Sequence, residues 1–270
     1  MPELPEVETT RLGIAPHLAG RRIERLLVRQ RRLRWPVPPA LARVLPGEQI
    51  ETVERRAKYL LLHTAPGAVL VHLGMSGSLR VLSERAPVQK HDHVDLVLST
   101  GKALRFNDPR RFGFWLWQPA GRTHGLLAGL GPEPLSPAFD GEHLFRRSRG
   151  RKAPVKHFLM DQRIVVGVGN IYAAEALFRA GIHPGRAAGR ISSERYRALT
   201  EAVRAVLEHA IRRGGTTLRD FVRPDGEPGY FEQELMVYGR EGEPCRTCGT
   251  VIRAADWGQR QTCYCPRCQS

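Results

Sequence analysis

Two places in this sequence hold residues whose type and spacing suit chemistry. The first is the start, Met1-Pro2-Glu3-Leu4-Pro5-Glu6-Val7-Glu8. Loss of Met1, expected before a residue as small as proline, leaves Pro2 with a secondary amine. A chain-terminal amine has a pKa near 8 against about 10.4 for lysine, so about a tenth of it is neutral at pH 7, against roughly one part in a few thousand for lysine. A neutral amine adds to a sugar aldehyde carbon to give a Schiff base, and the adjoining Glu3 can donate and accept protons. Pro5 suits the first turn of a helix. Val7, Ile14 and Leu18, with Leu12 nearby, give that helix an apolar stripe. Its positive end disfavours a protonated amine and attracts phosphate. A plain capped helix start would use the same residues, and the stretch alone leaves both readings open.

The second place is the C-terminus, where all five cysteines lie between Cys245 and Cys268. Cys245 and Cys248 form one Cys-x-x-Cys, Cys265 and Cys268 another, with sixteen residues between the pairs. Such knuckles aim four thiolates at one tetrahedral Zn²⁺ and leave no open position, so the ion expected is structural. Two redox dithiols are the alternative. Cys263 is left over, and strand alternation is taken to put it on the face opposite Cys265, as a free thiol. The stretch from Ala255 to Arg260 is expected at the tip of a hairpin between the knuckles, where Arg260 could reach a phosphate or remain solvated.

The rest of the chain must position these groups. Its 270 residues allow one large domain or two to three small ones. No stretch approaches the ~20 apolar residues of a membrane span, and the acidic, polar start does not resemble a signal peptide. A cytosolic location and a monomer are expected. Ile23–Val28, Ile50–Glu54, Tyr59–His63, Val69–Leu73, Val94–Leu98 and Phe112–Trp117 are β-rich runs parted by turn residues, which predicts a β-sandwich after the first helix. Gly121 to Pro137 reads as a linker. Asn170 can cap a helix reaching Phe178. Ser192 or Ser193 can cap a longer one with Tyr196, Leu199, Val203, Val206, Ala210 and Ile211 as its stripe, ended by Gly214-Gly215. The fold class expected is α+β, multidomain: a helix and β-sandwich over 1–130, a helical domain over 131–225 and a zinc-finger hairpin over 235–270.

Forty-two Lys and Arg stand against 27 Asp and Glu, a net charge of +15, which points to a polyanion, most simply nucleic acid. Arg146, Arg147, Arg149, Arg151, Lys152 and Lys156 fall within eleven residues with no acid among them, a solvated face or a phosphate-neutralising one. Asp108-Pro109-Arg110-Arg111-Phe112-Gly113 presents two arginines and an aromatic on a stiff loop, equipment for opening a base step; otherwise Phe112 belongs to the core. Met75, in His72-Leu73-Gly74-Met75-Ser76-Gly77, is either core or wedge. Gly167-Val168-Gly169-Asn170 lets backbone approach a ligand at a helix start, a weak signal with no nucleotide-binding unit around it.

Taken together, MPELPEVET, RRAKYLLL at 55–62, HLGMSGSLR at 72–80, KHDHVDL at 90–96, DPRRFG, GVGNIYA at 167–173, GGTTLRDF at 214–221 and the four-cysteine finger make the chain resemble the bacterial formamidopyrimidine-DNA glycosylase family, from Pro2 to Cys268. The resemblance implies a bifunctional glycosylase and abasic-site lyase acting on oxidised purines in duplex DNA. It implies Pro2 as nucleophile, Glu3 as acid/base, Lys58 as a catalytic and phosphate-contacting lysine, and Glu6 in the lesion pocket. Met75, Arg110 and Phe112 match the trio that fills the gap left by the everted nucleotide. His91, Arg111, Lys156, Asn170 and Arg260 match DNA contacts, and the 216–226 loop, with Arg219 where several members have lysine, matches the one closing over the damaged base. Cys263 occupies a finger position that is often aromatic. The related endonuclease-VIII-like enzymes, which act on oxidised pyrimidines, share the start and the finger but depart at residues 4–9 and in DPRRFG. A non-catalytic zinc DNA-binding protein is the third reading, and Pro2, Glu3 and Lys58 argue against it.

Overall fold

The computed structural model describes residues 2–216, 234–257 and 259–270. The chain divides into two compact units, Met1–Ala128 with Arg213–Tyr230, and Gly129–Arg212 with Phe231–Ser270.

The first unit begins with α1 (Leu4–Leu18), followed by β1 (Ile23–Val28), a short α2 (Leu41–Val44), β2 (Thr52–Arg56), β3 (Tyr59–Thr64), β4 (Gly67–His72), β5 (Ser78–Ser83), β6 (Asp92–Leu98), β7 (Lys102–Asn107), β8 (Phe114–Pro119) and α3 (Gly125–Ala128). The strands make two four-stranded antiparallel sheets, ordered β1-β6-β7-β5 and β2-β3-β4-β8. This is the expected sandwich. Period-two alternation explains its apolar runs. Leu60, Leu62, Val69, Val71 and Trp115 enter the core between the sheets, with Val94, Leu96, Leu104 and Phe106 from the facing sheet. Leu61, Ala68, Leu70 and Phe114 point the other way, where Leu126 and Leu127 of α3 cover them. β3 and β4 are thus buried on both faces, and residues 60–62 and 68–71 within them run apolar without alternation.

β5 and β7 were not anticipated. Leu104 and Phe106 do alternate, but Arg105 between them reads as a turn residue when it is in fact 1% exposed. It lies opposite Asp95 of β6 and grips it twice, Nε to Oδ1 at 2.9 Å and Nη2 to Oδ2 at 2.8 Å. Arg29 adds a bond to Asp95 Oδ2 at 2.7 Å. These charges hold the Asp95 carboxyl below its usual range, against burial, which alone would raise it.

α1 packs on β2, β3 and β5. Since β2 and β5 are edge strands, one from each sheet, the helix closes that side of the sandwich. Val7, Ile14 and Leu18 enter the core as expected, whereas Leu12 is 49% exposed.

The second unit holds α4 (Gly141–Ser148), α5 (Val155–Met160), α6 (Asn170–Arg179), a 3₁₀ turn (Ala188–Arg190), α7 (Ser193–Arg212) and the hairpin β9 (Arg253–Trp257) and β10 (Arg260–Tyr264). α7 packs on α4 and α6 through its predicted stripe, with Ile211 only half-buried. Gly169, not Asn170, occupies the N-cap of α6, so Asn170 is the first helical residue. The hairpin is paired further than expected, with Arg260 opposite Trp257, so both belong to strands.

Removing one partner from a buried, hydrogen-bonded ion pair strands the other. Arg105→Ala is expected to lower the stability of the protein by about 3–5 kcal/mol, measured by urea unfolding at pH 7. A loss of less than about 1 kcal/mol, the range of an exposed pair, would contradict this account of the sheet.

Candidate active site and DNA-contact surface

The N-terminal residues are buried. Pro2 lies just before α1, and Glu3, 3% exposed, is the N-cap. Glu6 completes a capping box: the Glu3 backbone N–H donates to Glu6 Oε2 at 2.8 Å. The other oxygen, Oε1, accepts from the Thr216 N–H at 2.9 Å and the Thr216 hydroxyl at 3.0 Å. Glu6, 0% exposed, therefore ties the first helical turn to the start of the 216–226 segment. Beyond Thr216 that segment, Arg219 included, lies outside the described residues.

Lys58 is 7% exposed and sits in the two-residue turn between β2 and β3, strands on which α1 packs. The preceding Ala57 has φ +55°, a left-handed conformation costly for a residue with a Cβ. Near Lys58 is His72, which opens HLGMSG and carries no sequence signal of its own. Its Nδ1 accepts the Gly74 N–H at 2.9 Å, and its ring stacks on Phe114 at 5.1 Å. Burial and the positive charges of Lys58 and Arg34 push the imidazole down to about 4. It is neutral at pH 7 and serves the Gly74 turn as an acceptor.

Met75 is half-buried, not core. Arg110, Arg111 and Phe112 are exposed, Phe112 by 39%. β8 starts at Phe114, two residues later than predicted, and this frees Phe112 from the sheet. Arg110 stacks on the Phe112 ring, 4.8 Å from its centroid. His91 is half-buried with φ +72°. The loops carrying these residues belong to one unit and meet near Asp108.

In the second unit the basic run separates into parts with different tasks. Arg149 and Arg151 cap the end of α4, donating to the Phe145 and Arg147 carbonyls at 3.0 Å each. Arg146, Arg147 and Lys152 are exposed. Lys156, expected among surface phosphate contacts, is 1% exposed, and its Nζ donates to Thr262 of β10 at 2.9 Å. The spacing of charges could not show that the zinc hairpin folds over α5. Asn170 reaches the same strand, Nδ2 to the Gln261 carbonyl at 3.4 Å, while its Oδ1 is buried with no hydrogen-bond partner among the described residues. His157 Nε2 donates to the Trp257 carbonyl at 2.9 Å. Arg260 is exposed at the start of β10. Another residue missed from sequence is Glu175 of α6. Burial pushes its carboxyl up, yet it accepts the backbone N–H groups of Met236, Val237 and Tyr238 at 2.9, 3.0 and 2.9 Å, docking that segment.

The Sγ atoms of Cys245, Cys248, Cys265 and Cys268 all lie within 4.8 Å of one another. Zn–S bonds of about 2.3 Å in a tetrahedron place sulfurs about 3.8 Å apart. The separations Cys245–Cys268, 4.0 Å, and Cys248–Cys265, 3.5 Å, fall either side of that value. The four thiols fit one structural Zn²⁺, with no position left for a substrate. Cys263 is a free thiol, but its expected placement was wrong: residues two apart in a strand share a face. It packs in the same cluster as Cys245 and Cys265, against Val237 and Ile252.

His72 gives a pH test. An unfolded histidine titrates near 6.5, and this one at about 4. Between those values the unfolded chain binds a proton that the fold refuses, so stability is lost as pH falls through that window, by up to about 3 kcal/mol. His72→Asn keeps an acceptor for Gly74 and removes the titration. Its stability, from urea unfolding at pH 7 and pH 4, is expected to drop less than that of the unsubstituted protein; equal drops would rule out a neutral buried His72.

Comparison with known proteins accounts for this arrangement. The family model for the formamidopyrimidine-DNA glycosylase N-terminal domain matches residues 1–115, that for the H2TH domain of the same glycosylase residues 130–222, and that for a zinc finger found in FPG and IleRS residues 242–270. The formamidopyrimidine-DNA glycosylase of Stenotrophomonas maltophilia K279a is 65% identical over 269 residues, covering 100% of both chains. That of Xanthomonas campestris pv. campestris B100 is 62% identical over 270 residues, again covering 100% of both. The crystal structure of MutM (FPG) from Thermus thermophilus superposes with a TM-score of 0.88 at 41% identity, over 99% of this chain and 98% of that one. A complex between a Lactococcus lactis FPG mutant and Fapy-dG-containing DNA gives 0.92 at 32% identity, over 100% of both. No helix among the described residues is long and apolar enough to cross a membrane. With its sandwich, its helical unit and its four-thiolate finger all matched in order, the chain belongs to the formamidopyrimidine-DNA glycosylase family.

Proposed function

We propose that this protein excises oxidised purines, 8-oxoguanine and formamidopyrimidines, from duplex DNA and then cleaves the strand as an abasic-site lyase. The observation that carries this reading is the burial of Pro2 and Glu3 at the positive end of α1, where a terminal amine is disfavoured as a cation and a flanking phosphate is attracted. DNA is its partner, and +15 of net charge favours it without regard to sequence. Domains over 1–130, 131–225 and 235–270 and a cytoplasmic, nucleoid-associated monomer are part of the same reading.

Catalysis starts by taking the damaged nucleotide out of the stack. Met75, Arg110 and Phe112 fill the space it leaves. His91, Arg111, Lys156, Asn170 and Arg260 serve DNA contacts, with Lys156 acting through Thr262 and the hairpin. Glu6 and Arg219 belong to the lesion pocket. The Pro2 nitrogen then attacks C1′, and the glycosidic bond breaks with its electron pair leaving on the base. Glu3 delivers a proton to the sugar ring oxygen as the ring opens, giving an iminium between Pro2 and C1′. Lys58 holds the neighbouring phosphate. Loss of a C2′ proton expels the 3′ phosphate, and a second elimination expels the 5′ phosphate. The zinc, closed by four thiolates, shapes the hairpin and takes no part in these steps.

Borohydride is expected to trap the Met1-processed protein covalently on 8-oxoguanine duplex, with the adduct mapping to Pro2. Pro2→Gly should lose most of the trapped product while still binding DNA. A trapped adduct on any other residue would refute the mechanism. Zinc removal by chelation, or Cys248→Ser, is expected to weaken duplex binding at least about tenfold, since a thiolate finger is ordered by its metal. Unchanged affinity in a titration at fixed salt would remove the hairpin from the DNA surface.

A further inference from the structure

Three loops of the first unit converge on Asp108, which is 0% exposed. From the Met75 loop, the Ser76 hydroxyl donates to Asp108 Oδ1 at 2.6 Å. From the Arg110–Phe112 loop, the Gly113 N–H donates to Oδ2 at 2.8 Å. The Arg110 N–H lies between the two, 3.2 Å from Ser76 Oγ and 3.3 Å from Asp108 Oδ1. The backbone of Asp108 reaches the third loop. Its N–H donates to the His91 carbonyl at 3.1 Å, and its own carbonyl accepts from His93 Nε2 at 2.8 Å.

The backbones are interlocked as well. Gly74 has φ +67°, and a Cβ built there would stand 2.4 Å from Gly113 N and from the Phe112 carbonyl carbon. His91 and Arg111, both with side chains, are held at φ +72° and +55°. Such conformations persist only where the surroundings over-determine them, and the bonds to Asp108 are what does so here.

We propose that Asp108 and Ser76 are positioning residues for nucleotide eversion, an inference that rests on the glycosylase reading. Ser76 is 4% exposed and Asp108 is fully buried, so both act through the loops. Their clasp fixes the spacing of Met75, Arg110 and Phe112, so the three enter a base step as one rigid wedge with His91 in register. A wedge assembled before contact spends none of its insertion energy on ordering backbone, whereas loose loops would have to.

The test separates eversion from chemistry. Zinc-loaded full-length Ser76→Ala is compared with the unsubstituted protein on two substrates. One is an 8-oxoguanine duplex under single-turnover conditions. The other is an abasic site in single-stranded DNA, trapped with borohydride, where no nucleotide has to leave a stack. Excision from the duplex is expected to slow at least about tenfold, about 1.4 kcal/mol of barrier, with single-strand trapping unchanged. Ser76→Thr, which keeps the hydroxyl, should restore the duplex rate. Gly74→Ala, which forces the loops apart sterically, should reproduce the Ser76→Ala pattern even if that variant is unstable. Duplex excision at the original rate in both variants, or an equal loss on both substrates, overturns the proposal. Failure of the unsubstituted protein to trap on either substrate overturns the glycosylase reading beneath it.

Discussion

The Glu6 carboxyl group is buried completely and, among the described residues, accepts from the Glu3 N–H and from the N–H and hydroxyl of Thr216. Buried carboxyl oxygens have no water to replace a lost donor, so losing one of these bonds is costly. The constraint runs in both directions. The donors hold Glu6, and Glu6 holds the first turn of α1 and the chain at Thr216 at fixed separations. This bond set gives Glu3, and Pro2 just ahead of it, a defined place at the start of α1.

The same device recurs elsewhere in the molecule. Asp95 is gripped by Arg105 and Arg29. Asp92, 4% exposed, accepts from Arg80, Asn107 and the Gln89 N–H, and Arg105 also donates to the Pro87 carbonyl at 2.9 Å. Together these bonds pin the segment leading to His91. Glu175 does for residues 236–238 what Glu6 does for Thr216. Each of these carboxylates is buried and accepts from backbone N–H groups or arginines. A net charge of +15 suits a polyanion outside the protein but would strain a loop-rich surface by repulsion. Buried acids are a local remedy. They draw arginines and N–H groups inward to particular points and leave Arg110, Arg111, Arg146 and Arg260 facing solvent.

How much of this could be read in advance depended on range. The knuckles were legible because two Cys-x-x-Cys pairs impose metal geometry within four residues each. The sandwich was legible because alternating apolar residues mark strands locally. α7 was legible from its stripe and its closing glycines. Contacts made across the sequence left no local mark. Arg105 and Asp95 are ten residues apart, Ser76 and Asp108 thirty-two, and Lys156 and Thr262 one hundred and six. That distance is why β7 carries no clear local signal, why Phe112 reads equally as loop or core, and why Lys156 cannot be told from its exposed neighbours. Charged residues carry the least information of this kind, since Lys152 in solvent and Lys156 in the interior differ only in what folds over them.

These long-range bonds also explain why the candidate site is assembled from loops of a rigid scaffold. Arg110 and Phe112 sit two and four positions from Asp108 and Met75 sits next to its partner Ser76, yet the strands leading into their loops are in different sheets: β4 leads into the Met75 loop and β7 into the Arg110 loop. Two sheets packed through Phe106 and Trp115, whose rings meet edge to face at 6.2 Å, set the coarse distance between those loops. Side-chain packing is non-directional, whereas a hydrogen bond also requires its donor and acceptor to be aligned. Core packing therefore brings the loops together, and the carboxylate clasp sets their final spacing. The wedge proposed for these three residues, entering a base step of fixed dimensions, requires the second as well as the first.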